Sequence, residues 1–286
     1  MNPPVPPSVP QSIFPTAEED AKLGNKPTAV PQTEHPAYRL AFQDADFLLR
    51  EDLRPVRFQL ELMKPEVLLA EADIHSTFVF YGSARIPSPE EAPARIAAAE
   101  TPERKAVAAR LARNARYYDV ARELAVMVST FCKEGERCFT VCSGGGPSIM
   151  EAANRGAWES GAPSLGMNIV LPHEQVPNPY VTPGLSFQFH YFALRKMHFL
   201  MRAKAVAVFP GGFGTFDEFF ELLTLVQTGK VAPLPILLYG REFWNRVVNF
   251  EALAEEGVIA PDDLKLFHFV ETAEEGWAIV KARYGL

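Results

Sequence analysis

From Thr77 onward, short apolar runs alternate with longer stretches whose apolar residues recur at helical spacing. Residues 77–81, 137–142, 165–171, 205–209 and 235–239 are β-branched or aromatic and too short for helices, so they are predicted strands. Residues 102–133, 148–160, 191–203, 241–255 and 273–282 carry the helical period, and an acidic amphipathic helix follows the fourth strand. Such alternation implies a parallel sheet covered on both faces, an α/β Rossmann-like doubly wound fold. Ligands in these folds bind beyond the carboxyl ends of the strands, near the point where strand order reverses.

The pattern before Thr77 differs. Residues 36–75 are predicted to form a helical extension, with Pro55 and Pro65 breaking it into pieces. Residues 1–35 are proline-rich and lack the apolar residues of a core, so they form a flexible arm or an extended segment that wraps a partner. Residues 76–286 are then read as a single Rossmann-like domain.

Composition narrows the class. The chain has 286 residues, 48% of them hydrophobic, enough for a full core. A formal charge of -7 argues against general affinity for nucleic acid or an anionic membrane, while leaving room for a small anionic ligand. Cys132, Cys138 and Cys142 are odd in number and lack CxxC spacing, so they read as reduced thiols rather than a disulfide framework or a zinc site. The start of the chain has neither a basic nor an apolar leader segment, and no apolar run approaches the roughly 20 residues of a membrane span. A cytoplasmic protein is the expectation.

The chemistry concentrates in the segment 206–221. An apolar strand runs through Pro210, Gly211, Gly212, Phe213, Gly214 and Thr215 into the acidic helix. Glycines there allow positive φ and leave no Cβ in the way, so backbone N–H groups can converge on a phosphate at the positive end of the helix dipole. Asp217, Glu218 and Glu221 follow within two turns, where a plain phosphate binder gains nothing from negative charge. Chemistry on the group attached to the phosphate is therefore expected. Thr215 to Glu218 also fits a capping box, which would give Glu218 a purely local role. Asp217 can equally be a solvated carboxylate.

Two further strand-to-helix turns should converge on the same ligand. Gly144, Gly145 and Gly146 can present bare N–H groups to a nucleotide or simply pack closely. They do not form GxGxxG, and no acidic residue follows at the distance a dinucleotide ribose needs, which argues against NAD. Gly82 and Ser83 lead to Arg85, which can fork onto a phosphate or stand in solvent. Arg195 and Lys196 lie on the helix before the cradle strand, near the same sheet edge; the arginine is read as functional, and the lysine as either a ligand contact or a solvated base. His190 and His198 read as packing or surface residues.

Pro210-Gly-Gly-Phe-Gly-Thr-Phe-Asp-Glu218, preceded by Arg195-Lys196, resembles the LOG (lonely guy) family, also labelled lysine decarboxylase-like, whose fingerprint is PGGxGTxxE after an Arg-Lys pair. The resemblance covers roughly residues 75–245, and Asp217 stands where the first glutamate is commoner. It implies a phosphoribohydrolase that cleaves the N-glycosidic bond of AMP or N6-substituted cytokinin forms of AMP, giving free base and ribose 5-phosphate. By that resemblance Arg195 and Glu218 are the essential pair. The turn from Gly211 to Thr215 holds the 5′-phosphate, while Gly82, Ser83 and Gly144 to Gly146 line the other side of the nucleotide. No metal or organic cofactor is implied, and a homodimer or larger homo-oligomer is. An alternative of another class is a nucleotide sensor with the same cradle and no turnover. Lysine decarboxylation would need a Schiff-base lysine, and neither Lys196 nor Lys204 has a recognisable context for one.

Overall fold

A computed structural model describes residues 14–24, 29–131, 139–172 and 176–286. Residues 1–13 and 25–28 of the proline-rich arm, and both Cys132 and Cys138, lie outside the described residues. The chain divides into two compact units, Met1–Leu60 and Glu61–Leu286.

In the first unit, helix α1 covers Ala17–Gly24, and one-turn helical segments follow between Pro36 and Leu48. Asp44 caps the last of these by accepting from the Phe47 amide at 3.2 Å. The guanidinium of Arg57 gathers the carbonyls of Leu48 and Arg50. The division between the units falls within helix α2, Arg54–Glu71.

Seven parallel strands form the sheet of the second unit: β1 Thr77–Tyr81, β2 Thr140–Ser143, β3 Ser164–Ile169, β4 Ser186–Phe189, β5 Ala203–Val208, β6 Ile236–Tyr239 and β7 His268–Val270. Their order is β4-β3-β2-β1-β5-β6-β7. The chain winds outward from β1 to β4, then returns to the other side of β1, so the reversal lies between β1 and β5. Alternation along each strand feeds two cores. Phe78, Phe80, Ala205, Ala207, Leu237 and Tyr239 face one, with helices α4 Arg116–Thr130, α5 Ile149–Glu159 and α10 Ala273–Tyr284. Val79, Tyr81, Val206, Val208, Ile236 and Leu238 face the other, with α2, α6 Phe192–Met201 and α7 Phe213–Gln227. The doubly wound α/β architecture read from the alternation is the one observed.

Several boundaries differ from the sequence reading. The single helix expected over 102–133 is two, α3 Pro102–Arg113 and α4, with tight turns at Asn114 and Ala115. Helix α3 buries no residue, whereas α4 buries six, so the change of direction lets α4 lie on the sheet. The helix expected over 241–255 splits into α8 Arg241–Val247 and α9 Phe250–Glu255, because Val248 is extended and Asn249 caps the second piece through the Ala252 amide. Edge strands β4 and β7, only 4 and 3 residues long, escaped the periodicity. Pro65 does not break the extension: α2 runs through it, and the Glu61 carbonyl that a residue-65 amide would have bonded stands 3.2 Å from Nε2 of His198.

Candidate active site

The reversal between β1 and β5 is tied shut by backbone. Phe209 donates its amide to Tyr81 at 2.8 Å and Ser83 donates to Pro210 at 3.1 Å, so the turns after the two strands lie side by side. A cleft of about 1120 Å³ opens over them. Gly82, Ser83, Gly144, Gly146, Gly212, Gly214, Thr215, Arg195 and Glu218 all line it, and three segments far apart in sequence thus meet as expected at one place. Gly145, Gly211 and Lys196 are not on its walls.

The cradle is built differently from the glycine argument. None of Gly211, Gly212 and Gly214 is left-handed; Gly212 caps α7 with φ -102 and ψ -157. Their value is space. A Cβ at Gly211 would collide with the Thr215 side chain, while at Gly212 or Gly214 it would meet nothing within 4 Å. Helix α7 starts at Phe213 and no side chain caps it, so its first amides are free to face an anion. This start also removes the capping box: Glu218 lies beyond the first turn instead of at the third helical position after a Thr215 cap. Positive φ belongs instead to the second turn, where Gly145 has φ +72 and lies against the Asn168 side chain.

Glu218 is used across the cleft. Its Oε1 accepts from Nη1 of Arg195 at 3.1 Å, with both side chains about nine-tenths buried. Arg195 is fixed further: Nε donates to the Met167 carbonyl at 2.7 Å, and the guanidinium lies 4.9 Å from the Phe199 ring centre. Burial raises the Glu218 carboxyl to about 7 and Asp217 adds to the effect, while Arg195 and Lys196 pull the other way. Desolvation wins because few polar groups replace the lost water. Tyr81 and Cys142, buried on the neighbouring strands, are both pushed well above their ordinary values by the same loss of solvent.

Lys196 points to the other carboxylates, 3.0 Å from Asp217 and 3.0 Å from Glu221. Burial disfavours its ammonium, but the two carboxylates outweigh that and raise its pKa, the reverse of what an imine-forming lysine needs. Asp217 is therefore an ion-pair partner, though its side chain stays half exposed. Among the described residues, no group of three or more His, Cys, Asp or Glu side chains could hold a metal ion, and no helix is long and apolar enough to cross a membrane.

Sequence reasoning missed the residues beneath the second turn. Ser143 donates to Asn154 at 2.6 Å and accepts the Gly145 amide at 3.0 Å. Asn178 donates to the Gly146 carbonyl and to Asn154, and its own amide bonds Gly145. The Asn154 side-chain nitrogen donates to the Ser164 hydroxyl at 3.0 Å and to the Leu165 carbonyl at 3.2 Å. This buried network fixes Gly144 to Gly146 on both sides. Asn168, which lines the cleft, is held similarly, its amide donating to Gly166, Ser186 and Phe187, which leaves its carbonyl oxygen beside Gly145. Asn154 offered one signal, a polar residue on the apolar face of a strongly amphipathic helix.

Residues 150–280 match the family described as possible lysine decarboxylase. Over 83 residues the chain is 31% identical to the probable cytokinin riboside 5′-monophosphate phosphoribohydrolase LOGL3 of Oryza sativa subsp. japonica. That match covers 28% of this chain and 39% of the length of the rice protein. Over this span the chain is similar to the LOG family. The matched span contains both members of the buried pair, Arg195 and Glu218. Among solved structures, the molybdenum cofactor binding protein of the phototrophic bacterium Rippkaea orientalis is similar at TM-score 0.45 and 14% identity, over 73% of this chain and 98% of that one. The Moco carrier protein of Chlamydomonas reinhardtii is similar at TM-score 0.42 and 19% identity, over 72% and 96%.

Proposed function

We propose that this protein is a LOG-family hydrolase that cleaves the N-glycosidic bond of a purine nucleoside 5′-monophosphate, AMP or an N6-substituted AMP, to free base and ribose 5-phosphate. The observation that carries the reading is that the buried Arg195–Glu218 pair lines the same cleft as the uncapped start of α7, the helix on which Glu218 lies. A phosphate seated on the amides of Gly212 to Thr215 puts the attached ribose within the cleft that Glu218 lines. Departure of the base, with the electron pair of its bond to C1′, leaves oxocarbenium character on the sugar. The Glu218 carboxylate stabilises that charge and takes a proton from the attacking water; the hydroxyl joins C1′ and the base leaves with a proton in the overall balance. A carboxyl titrating at about 7 suits this work, being a stronger base than an exposed glutamate and still half ionised at neutral pH. Arg195 holds the carboxylate in place and keeps part of it ionised.

The test is incubation of purified protein with AMP, isopentenyl-AMP and the other nucleoside monophosphates, with base and ribose 5-phosphate resolved by chromatography. Release of both products from a purine monophosphate supports the reading and ranks the substrates. Tight binding with no base release would make the protein a nucleotide sensor.

A further inference from the structure

Helix α6 carries Arg195, and both of its ends are held by carboxylates from α2. The Glu61 carboxylate accepts two successive backbone amides, His190 at 2.8 Å and Tyr191 at 3.2 Å. Tyr191 is the residue that caps α6, and its own side chain does not bond the helix amides. At the far end Glu66 pairs with Arg202, the C-terminal cap, whose Nε also donates to the Ile74 carbonyl at 3.1 Å. Between the two, the fully buried His198 lies 3.2 Å from the Glu61 carbonyl and 3.4 Å from the Glu66 carboxylate. The connection to the site is one hydrogen bond long, because the Arg195 amide donates to the Tyr191 carbonyl at 3.1 Å.

We propose that Glu61 and Glu66 are positioning residues for Arg195: they fix the axial position and rotation of α6, and through it the contact of the guanidinium with Glu218. A carboxylate beside the start of a helix also opposes the positive end of its dipole, so Glu61 favours the helix electrostatically as well as by its two bonds. The sequence marks neither residue, since a glutamate on an exposed amphipathic helix has no reason to stand out.

In kinetic terms the proposal rests on the hydrolase reading, so its test carries a second readout that does not. Glu61→Ala is expected to lower kcat for AMP by about tenfold to a hundredfold, the range for misplacing a catalytic group by around 1 Å, with KM changed much less. Glu218 is faced by Arg195 and Lys196 from α6, by its neighbour Asp217, and by Tyr81 and Cys142 of the sheet; the substitution displaces the two cations of α6, both of which hold the Glu218 titration down. The carboxyl titration of Glu218, followed by carbon-13 NMR and assigned by its loss in Glu218→Gln, should therefore move upward in Glu61→Ala and in Glu66→Gln. Folded variants with wild-type kcat and an unmoved titration overturn the proposal. If the wild-type protein releases no base, the hydrolase reading fails alone and the titration still decides the positioning role. If Glu61→Ala does not fold, Glu61→Gln, which keeps one acceptor, should show a smaller upward shift, and none would contradict the role.

Discussion

A side-chain carbon at position 144 would stand 2.7 Å from Nη2 of Arg195, so the arginine can occupy its place only because residue 144 is glycine. The other atom such a carbon would meet is Sδ of Met150, at 2.8 Å. Met150 can turn aside, but Arg195 is held by the Met167 carbonyl and Glu218, so Gly144→Ala should displace it at some cost in Tm and lower kcat/KM by about a hundredfold. Melting curves and steady-state kinetics on the same preparation check this.

Gly211 and Gly212 should separate packing from binding. Gly211→Ala forces its methyl into Thr215 and should cost about 1–3 kcal/mol of stability. Gly212→Ala meets no protein atom within 4 Å, so its Tm should hold while a bound phosphate is crowded, raising KM for the nucleotide. Equal KM values for Gly212→Ala and wild type would place the phosphate elsewhere.

The raised Glu218 carboxyl gives two pH dependences. If the carboxylate is the working form, kcat/KM rises with pH and levels off above about 7. Stability runs the opposite way. The folded chain keeps a proton that the unfolded chain releases above the ordinary value of 4.5, so this contribution is fully present below 4.5 and is lost as pH rises through about 7. Glu218→Gln should lack it, and the Tm of the variant minus that of wild type should increase between pH 5 and pH 8.

Asn154→Ala would leave the Ser143 and Asn178 side chains short of a buried partner. A loss of about 2 kcal/mol is expected, lowering Tm by roughly 4–8 °C. Because the same network holds the Gly144 to Gly146 turn, KM should rise as well. A lower Tm with unchanged KM would reduce the network to a packing role.

What could be read from sequence followed the range of the interactions involved. Strand β1, the glycine turns and the 23-residue separation of Arg195 and Glu218 are local or fixed in spacing, and they stood in the chain as motifs. Edge strands β4 and β7 are only 4 and 3 residues long and are defined by pairing with β3 and β6, so periodicity had nothing to detect. The capping-box reading of Thr215 to Glu218 failed because the uncapped helix begins at Phe213, three residues before the Phe216 start that a Thr215 cap requires. Pro65 looked like a break because the chain does not announce that His198, 133 residues away, stands beside the carbonyl a proline leaves unbonded. Asn154 and Asn178 become a network only when α5, β2 and the segment after β3 meet, which is a property of the packed sheet.

The most direct test of the central claim compares wild type with Glu218→Gln, measuring AMP affinity by calorimetry and adenine with ribose 5-phosphate by chromatography. Wild type should bind AMP and release the two products in equal amounts, while the variant binds comparably and releases neither. Product formation by Glu218→Gln at the wild-type rate would contradict the role assigned to the Arg195–Glu218 pair.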